Sequence, residues 1–272
     1  MTTTAGARRV AGRARNSTWL EVLTRAGLVG YGLLHLAVAW LAIQVAVNHS
    51  NNSADQSGAF RLLEKQPLGR VLLVILAIGL AAMAVWQLLL AAVGHREFTG
   101  KRRAAERIAS AGRVVIYAFL SWTCVKVAGG SSTSSSSSQE KATAGVLAHS
   151  WGQWLVGLAG LVVLGIGIGM IIYGARKSFA PKLKLAQMGS ARKSVLRLGQ
   201  VGYIAKGIAF GIAGALLLYA ATSDNASHST GLDGALRTLA AQPFGTALLI
   251  IVAIGFAAFG IYCFFQARFR KV

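Results

Sequence analysis

Four polar side chains lie inside otherwise apolar stretches of this sequence and are the first candidates for chemistry. They are His35, Gln87, Lys206 and Gln266. A polar or ionisable side chain in a stretch of membrane-spanning length often marks a ligand, ion or proton pathway. At 1.5 Å per residue, the first three lie roughly 8 to 12 Å from the basic ends of their stretches, so a common layer is expected. One cation, one titratable ring and amide donors suit a phosphate or carboxylate, so we interpret the four as a ligand or lipid-headgroup site.

The ionisable members also have structural interpretations. Lys206 is close enough to the interface for its ammonium to reach water along its flexible stem, and this snorkelling is favoured over a ligand role. For His35, a neutral ring hydrogen-bonded to a neighbouring helix is weighed equally with a functional group, since membrane histidines can hold helices together. Cys124 and Cys263 lack the spacing of a metal pair and are expected to be small, buried, apolar residues.

The acidic residues and the known motifs argue against catalysis. None of the eight acids lies within a predicted span, although proton relays and cation sites usually need one there. They are Glu21, Asp55, Glu64, Glu97, Glu106, Glu140, Asp224 and Asp233. The sequence also has no phosphate-binding loop, no H-E-x-x-H, no G-x-S-x-G and no cluster with zinc-ligand spacing. We therefore expect no enzyme activity, no catalytic or metal-binding residues and no cofactor.

The composition places these side chains in a membrane protein. The chain has 272 residues, of which 54% are hydrophobic and 13% charged, and its mean hydropathy is +0.56. Because only a helix satisfies its own backbone in hydrocarbon, we predict an all-α integral membrane protein with six transmembrane helices. The predicted spans are 27–47, 71–93, 114–128, 154–174, 201–221 and 247–265. The third is the shortest, because Lys126 and the pair Gly129-Gly130 end its apolar run.

The formal net charge of +20 is concentrated on one side of the predicted spans. Of the 28 basic residues, five lie in the N-terminal arm up to Arg25, six in 96–113, seven in 176–197 and three in 268–271. The positive-inside rule then puts both termini and the two basic loops in the cytoplasm. Such a surface also attracts anionic lipid headgroups, which we expect as partners in place of nucleic acid.

A repeat organises the chain. The segment 58–69, GAFRLLEKQPLG, and the segment 234–245, GALRTLAAQPFG, share seven of twelve residues, and AIGLAA and AIGFAA follow at equal spacing. Apolar residues at helical spacing predict a short interfacial helix in each of these outer loops. Pro67 and Pro243 are expected at the entry to the following span, where a missing amide proton costs nothing. The corresponding loop of the middle repeat has seven serines in 131–138 and is expected to be solvated and flexible.

These motifs, with the G-x-x-G-Y openings at 27–31 and 199–203, resemble the bacterial membrane family catalogued as domain of unknown function 1206. The resemblance runs from about Thr24 to Lys271 and is weakest in the middle repeat. It implies a multi-pass plasma-membrane protein and supplies no catalytic residues. We assign residues 1–22 to a basic arm and 23–98, 106–180 and 193–272 to three helical hairpins, and we hypothesise a pseudo-threefold arrangement of the hairpins.

Two classes of function remain open at this point. The first is a noncatalytic membrane module that packs against lipid or membrane-protein partners. Glycine pairs at helical spacing, Gly165 with Gly169 and Gly207 with Gly211, favour close helix packing within one bundle. The second is a small transporter or channel for an anionic or amphiphilic solute, lined by His35, Gln87 and Lys206, because internal repeats are common in transporters. A lipid-modifying enzyme would need a nucleophile or an acid pair near an interface, which we do not find.

Overall fold

The structure is a computed structural model that describes residues 18–48, 54–94, 99–130 and 135–270. These residues form nine α-helices and three short 3₁₀ segments. Six of the helices are long and apolar enough to cross a membrane, which confirms the all-α fold with six candidate spans. The helices are α1 (Thr18–Asn48), α2 (Gln56–Glu64), α3 (Gly69–Val93), α4 (Gly100–Ala128), α5 (Ser135–Leu147), α6 (Gly152–Ala175), α7 (Arg192–Thr222), α8 (Gly231–Ala240) and α9 (Gly245–Phe269).

The third span is longer than the sequence predicted. Its apolar segment is Glu106–Ala128, 23 residues within the 29-residue helix α4, and not the shorter 114–128. The helix continues through Gly112 and Arg113, and the residues before them include Ile108 and several alanines, which extend the apolar length. Because Glu106 stands at the first position of this segment, the prediction that no acid lies within a span is wrong at that one residue.

Each repeat consists of a long helix, a short helix and a second long helix. Helices α2 and α8 confirm the short helices predicted in the first and third repeats. The flexible loop predicted for the serine segment is wrong for 135–138, which form the first turn of α5. The physical reason lies just downstream, where Gln139, Glu140, Lys141 and Ala142 have high helix propensity and extend the helix.

A tight turn joins the short helix to the second long helix in every repeat. A Cβ atom on Gly69, Gly152 or Gly245 would lie 1.9, 1.9 or 2.0 Å from a carbonyl oxygen at the end of the preceding short helix, so each position requires glycine. Pro67 and Pro243 lie within this turn, two residues before the helix begins, which places them at the entry to the following span as predicted.

The chain divides into two compact units, Met1–Ala54 with Gln139–Val272, and Asp55–Ser138. In the first unit, α6 packs along α7, α9 packs along α1, and α7 also contacts α9. In the second unit, α3 packs along α4. Each of the three main pairings therefore joins the second long helix of one repeat to the first long helix of another, with repeat three paired to repeat one.

Glycines set the close packing of α6 on α7. A Cβ atom on Gly207 would lie 2.6 Å from the Gly167 carbonyl oxygen, and a Cβ atom on Gly167 would lie 2.6 Å from the Gly211 amide nitrogen. The predicted packing role of Gly207 and Gly211 is thus confirmed. That of Gly165 and Gly169 is wrong, because neither would bring a Cβ within 4 Å of another atom. The packed face of α6 instead carries Gly160, Gly167 and Gly174, two helical turns apart.

Candidate functional site

Lys206 is buried between three helices of the first unit. Lys206 is only 6% exposed, and its Nζ donates a hydrogen bond of 2.6 Å to the Tyr31 hydroxyl on α1. The same Nζ lies 4.4 Å from the centroid of the Phe259 ring on α9, close enough for a cation–π interaction. The snorkelling prediction is therefore wrong, because the hydroxyl and the ring face hold the ammonium inside the helix bundle.

His35 lies beside this ammonium and packs through its ring. Its Nδ1 donates to the Tyr31 carbonyl oxygen of its own helix at 2.8 Å, since a carbonyl only accepts, and Nε2 is then the acceptor nitrogen. The ring centroid lies 4.8 Å from that of Phe259 and 6.0 Å from that of Phe256. Its described contacts to the neighbouring helix are thus aromatic, and its described hydrogen bond is to its own helix.

Small residues bring the three helices close enough to form this cluster. A Cβ atom on Gly202 would lie 2.6 Å from the Phe259 Cβ, and one on Gly255 would lie 2.1 Å from the Ala205 Cβ. Gly32 and Gly260 would each place a Cβ 2.8 Å from the other's carbonyl oxygen. Side chains at these positions would push α9 away from α7 and α1 and separate the charged and aromatic groups. We call the resulting group the ammonium box: Tyr31, His35, Lys206, Phe256 and Phe259.

Gln266 lies outside the box, and Gln87 belongs to the other compact unit. Gln266 is 7% exposed and stands seven residues beyond Phe259 on α9, about 10 Å further along the axis. Gln87 belongs to α3 in the second unit, where it is 8% exposed and its Oε1 has no hydrogen-bond partner among the described residues. Of the predicted site residues in the first unit, His35 and Lys206 are therefore brought together and Gln266 lies further along α9.

The two phenylalanines of the box were missed by sequence reasoning. Phe256 and Phe259 are three residues apart on an apolar helix, a pattern that ordinary core packing also produces. A signal was available in the repeat, because the corresponding residues of repeat one are Leu80 and Met83, and only the third repeat has rings there. The box is therefore not a feature that each repeat reproduces.

A second polar feature is the loop between α6 and α7, which folds back onto the helix ends. Phe179, Leu183 and Met188 are buried in a cluster with Tyr262 and Cys263 of α9. Leu183 forms an isolated antiparallel bridge with Arg270, and the Lys184 amide donates to the Phe269 carbonyl oxygen at 2.7 Å. Six exposed basic residues lie in this loop and in the first turns of α7, and we call them the basic platform: Arg176, Lys177, Lys182, Arg192, Lys193 and Arg197.

The short helices carry their own polar contacts at the opposite end of the first unit. The Ala54 amide donates to Asp233 Oδ1 at 2.7 Å, and Arg237 Nε donates to Asp233 Oδ2 at 3.0 Å. The hydroxyls of Thr143 and Ser229 lie 2.6 Å apart. These contacts tie α8 to its neighbours. Within the described ranges, no three His, Cys, Asp or Glu side chains are grouped in a way that could hold a metal ion.

Both cysteines are buried and free, as the sequence predicted.

Comparison with known proteins assigns the chain to a family. A relative in Bacillus subtilis (strain 168), the uncharacterized protein YxxB, is 29% identical over 257 residues, covering 93% of this chain and 92% of the relative. No solved structure matches the chain. The family model described as Domain of Unknown Function (DUF1206) matches three times, at residues 26–94, 108–177 and 201–270, which confirms the triplicated repeat, and the chain belongs to this family.

Proposed function

We propose that the protein is a noncatalytic module of the plasma membrane that packs against lipid or membrane-protein partners and holds anionic headgroups at its cytoplasmic face. The observation that carries the proposal is the basic platform. Three of its six exposed cations lie on a loop that is docked by Phe179, Leu183 and Met188, and three lie in the first turns of α7, so none is on a solvated tail. By the positive-inside rule, this loop and both termini are cytoplasmic, where the leaflet is anionic.

Docking makes the platform a better lipid surface than a flexible loop of equal charge. The entropy cost of ordering the backbone has already been met by folding, so binding a headgroup does not add it. No acid lies in the segment 176–197, so no negative charge within the segment reduces its positive potential. Each basic residue near an anionic surface contributes about 1 kcal/mol.

The test compares charge removal on the two faces of the membrane. In nanodiscs of mixed phosphatidylglycerol and phosphatidylcholine, the lipids retained after mild delipidation would be quantified by mass spectrometry. The double variant Lys177→Gln/Lys182→Gln should lose up to about thirtyfold in phosphatidylglycerol preference at low salt. The control Lys65→Gln/Lys141→Gln removes two exposed cations from the opposite loops and should change little. Equal losses in both variants, or no preference in the wild type, would contradict the proposal.

The alternative is a small transporter or channel for an anionic or amphiphilic solute. The observation in its favour is the buried Lys206, whose described neighbours in the ammonium box are neutral groups. Reconstituted vesicles distinguish the two functions. A transporter should move an anionic solute at a rate that Lys206→Met abolishes, whereas a packing module should show no flux above empty vesicles.

A further inference from the structure

We infer that Lys206 and Tyr31 form an intramembrane site for one oxyanion, a carboxylate or a phosphate, carried by an amphiphile whose chain lies in the bilayer. The site is separate from the basic platform. Lys206 stands nine residues beyond Arg197 on α7, about 13 Å further along the helix axis. Either site can therefore fail without the other.

The charge of Lys206 is the first step. No described residue forms an ion pair with its ammonium. The acids that follow α7 in the sequence, Asp224 and Asp233, lie beyond the far end of that helix. Asp224 lies past the end of α7, about 27 Å along the axis from Lys206. A cation in a low-dielectric interior is costly unless a counter-charge and hydrogen bonds compensate it. The Phe259 ring stabilises the ammonium but carries no counter-charge.

The unused donors are the second step. An ammonium has three N–H donors, and one of them goes to the Tyr31 hydroxyl. Since that hydroxyl accepts from Lys206, its own proton remains available for donation. Two further N–H donors of Lys206 and the O–H of Tyr31 are therefore available, and their heavy atoms lie 2.6 Å apart, close enough to donate to a single oxyanion.

Access and depth are the third step. Lys206 is almost fully buried, but Tyr31, whose hydroxyl it contacts, is 40% exposed, so the site has one member at the surface of the helix bundle. The His35 ring packs against the rings of Tyr31 and Phe259, with centroids 4.3 and 4.8 Å apart. A site at this depth is reached from the hydrocarbon more readily than from water, which favours an anion that arrives on an apolar chain over a free one.

The experiment uses the full chain in dodecyl maltoside, with oleate as the probe and native mass spectrometry or equilibrium binding as the readout. Oleate should bind the wild type, Lys206→Met should weaken its binding by about tenfold or more, and Lys141→Met, which removes an exposed cation outside both sites, should leave it unchanged. Methyl oleate, which has the chain without the charge, should bind as weakly as the variant does. Equal oleate binding in wild type and Lys206→Met, or equal binding of oleate and methyl oleate, would overturn the proposal.

Two further arms identify the source of the anion. Acetate and inorganic phosphate carry the oxyanion without the chain and should not displace oleate at equal concentration. Displacement by either one, lost in Lys206→Met, would support the oxyanion site and assign it to a free anion. Dioleoyl phosphatidic acid should compete with oleate if the site accepts a lipid phosphate.

A measurement on the wild type keeps the proposal testable if Lys206→Met does not fold. A diazirine-labelled fatty acid would be photo-crosslinked and the labelled peptides identified. The label should appear in α1 near Tyr31, or in the facing turns of α7 and α9, and unlabelled oleate should suppress it. Labelling confined to α3 and α4, or labelling that methyl oleate suppresses equally, would overturn the assignment.

Discussion

Single residues decide where polar chemistry is placed in this otherwise apolar chain. Lys206 is held by one hydroxyl and one aromatic face, and both come from helices far away in sequence. Glycines make that contact possible because they let α9 approach α7 and α1. The glycines and the ammonium box are therefore parts of one packing arrangement, in which a side chain added at the wrong position would move the charged group.

Gly207→Ala should destabilise the protein. The new Cβ would lie 2.6 Å from the Gly167 carbonyl oxygen and from an Ile171 side-chain atom, so α6 and α7 must separate, at a cost of about 1–3 kcal/mol. The control is Gly169→Ala, where no atom lies within 4 Å and helix propensity alone changes, by up to about 1 kcal/mol in the stabilising direction. Thermal unfolding in detergent measures both. A Gly207→Ala protein as stable as Gly169→Ala would contradict the packing described.

The sequence predicted a common layer for His35 and Lys206 because helix rise depends only on residue count, and both residues contact the Phe259 ring. It did not predict their partners, since Tyr31 and Phe259 meet Lys206 only through tertiary pairing of helices more than fifty residues apart in sequence. The small residues of α6 illustrate the same limit. Gly165 and Gly169 have the spacing of a packing motif, but the packed face is set by which side of α6 meets α7.

At the scale of elements, the main addition to the sequence reading is the order in the loop between α6 and α7. Its charge was evident from composition, whereas the burial of Phe179, Leu183 and Met188 against α7 and α9 was not. The serine segment is a second case, because composition indicated a flexible loop and the residues downstream extended a helix. Both differences arise where neighbouring segments, and not the segment's own composition, determine its conformation.

Phe179→Ala should release the docked loop. The ring is fully buried, and a phenylalanine-to-alanine change at such a position costs about 3–5 kcal/mol. Trypsin should then cleave the loop after its lysines about tenfold faster or more, because the loop opens more often. Phe244→Ala is the control, since Phe244 is highly exposed and its loss should leave the cleavage rate unchanged. Equal cleavage of wild type and Phe179→Ala would show that the loop is not held by this ring.

At the scale of the whole molecule, the repeats pair in a cyclic order of sequence. The second long helix of one repeat packs along the first of the next, and α9 of the last repeat packs along α1 of the first. The sequence predicted the repeats, the six spans and the short helices, because periodicity and hydropathy are local properties. It did not predict which long helices pair, since identical hairpins can pack in several orders.

Gly32→Cys tests the pairing of the first and last long helices. A Cβ atom at Gly32 would lie 3.2 Å from the Cβ of the native Cys263, near the roughly 3.5–4.5 Å that a disulfide requires. Mild oxidation should therefore link the two within one molecule, as detected by mass spectrometry of unreduced tryptic peptides. Gly30→Cys, which has no atom within 4 Å of its Cβ, should not form this link. Absence of the link in folded Gly32→Cys protein would contradict the pairing of α1 with α9.

The most direct test of the central claim asks which side of the membrane the basic platform faces. Both native cysteines are fully buried, so an engineered cysteine can be labelled against a low background. Ser178→Cys lies in the platform loop and Ser150→Cys at the opposite end, and both positions are exposed. In intact cells, a membrane-impermeant maleimide should label Ser150→Cys at once and Ser178→Cys only after the membrane is opened. Immediate labelling of Ser178→Cys, or labelling of both positions alike, would contradict the account.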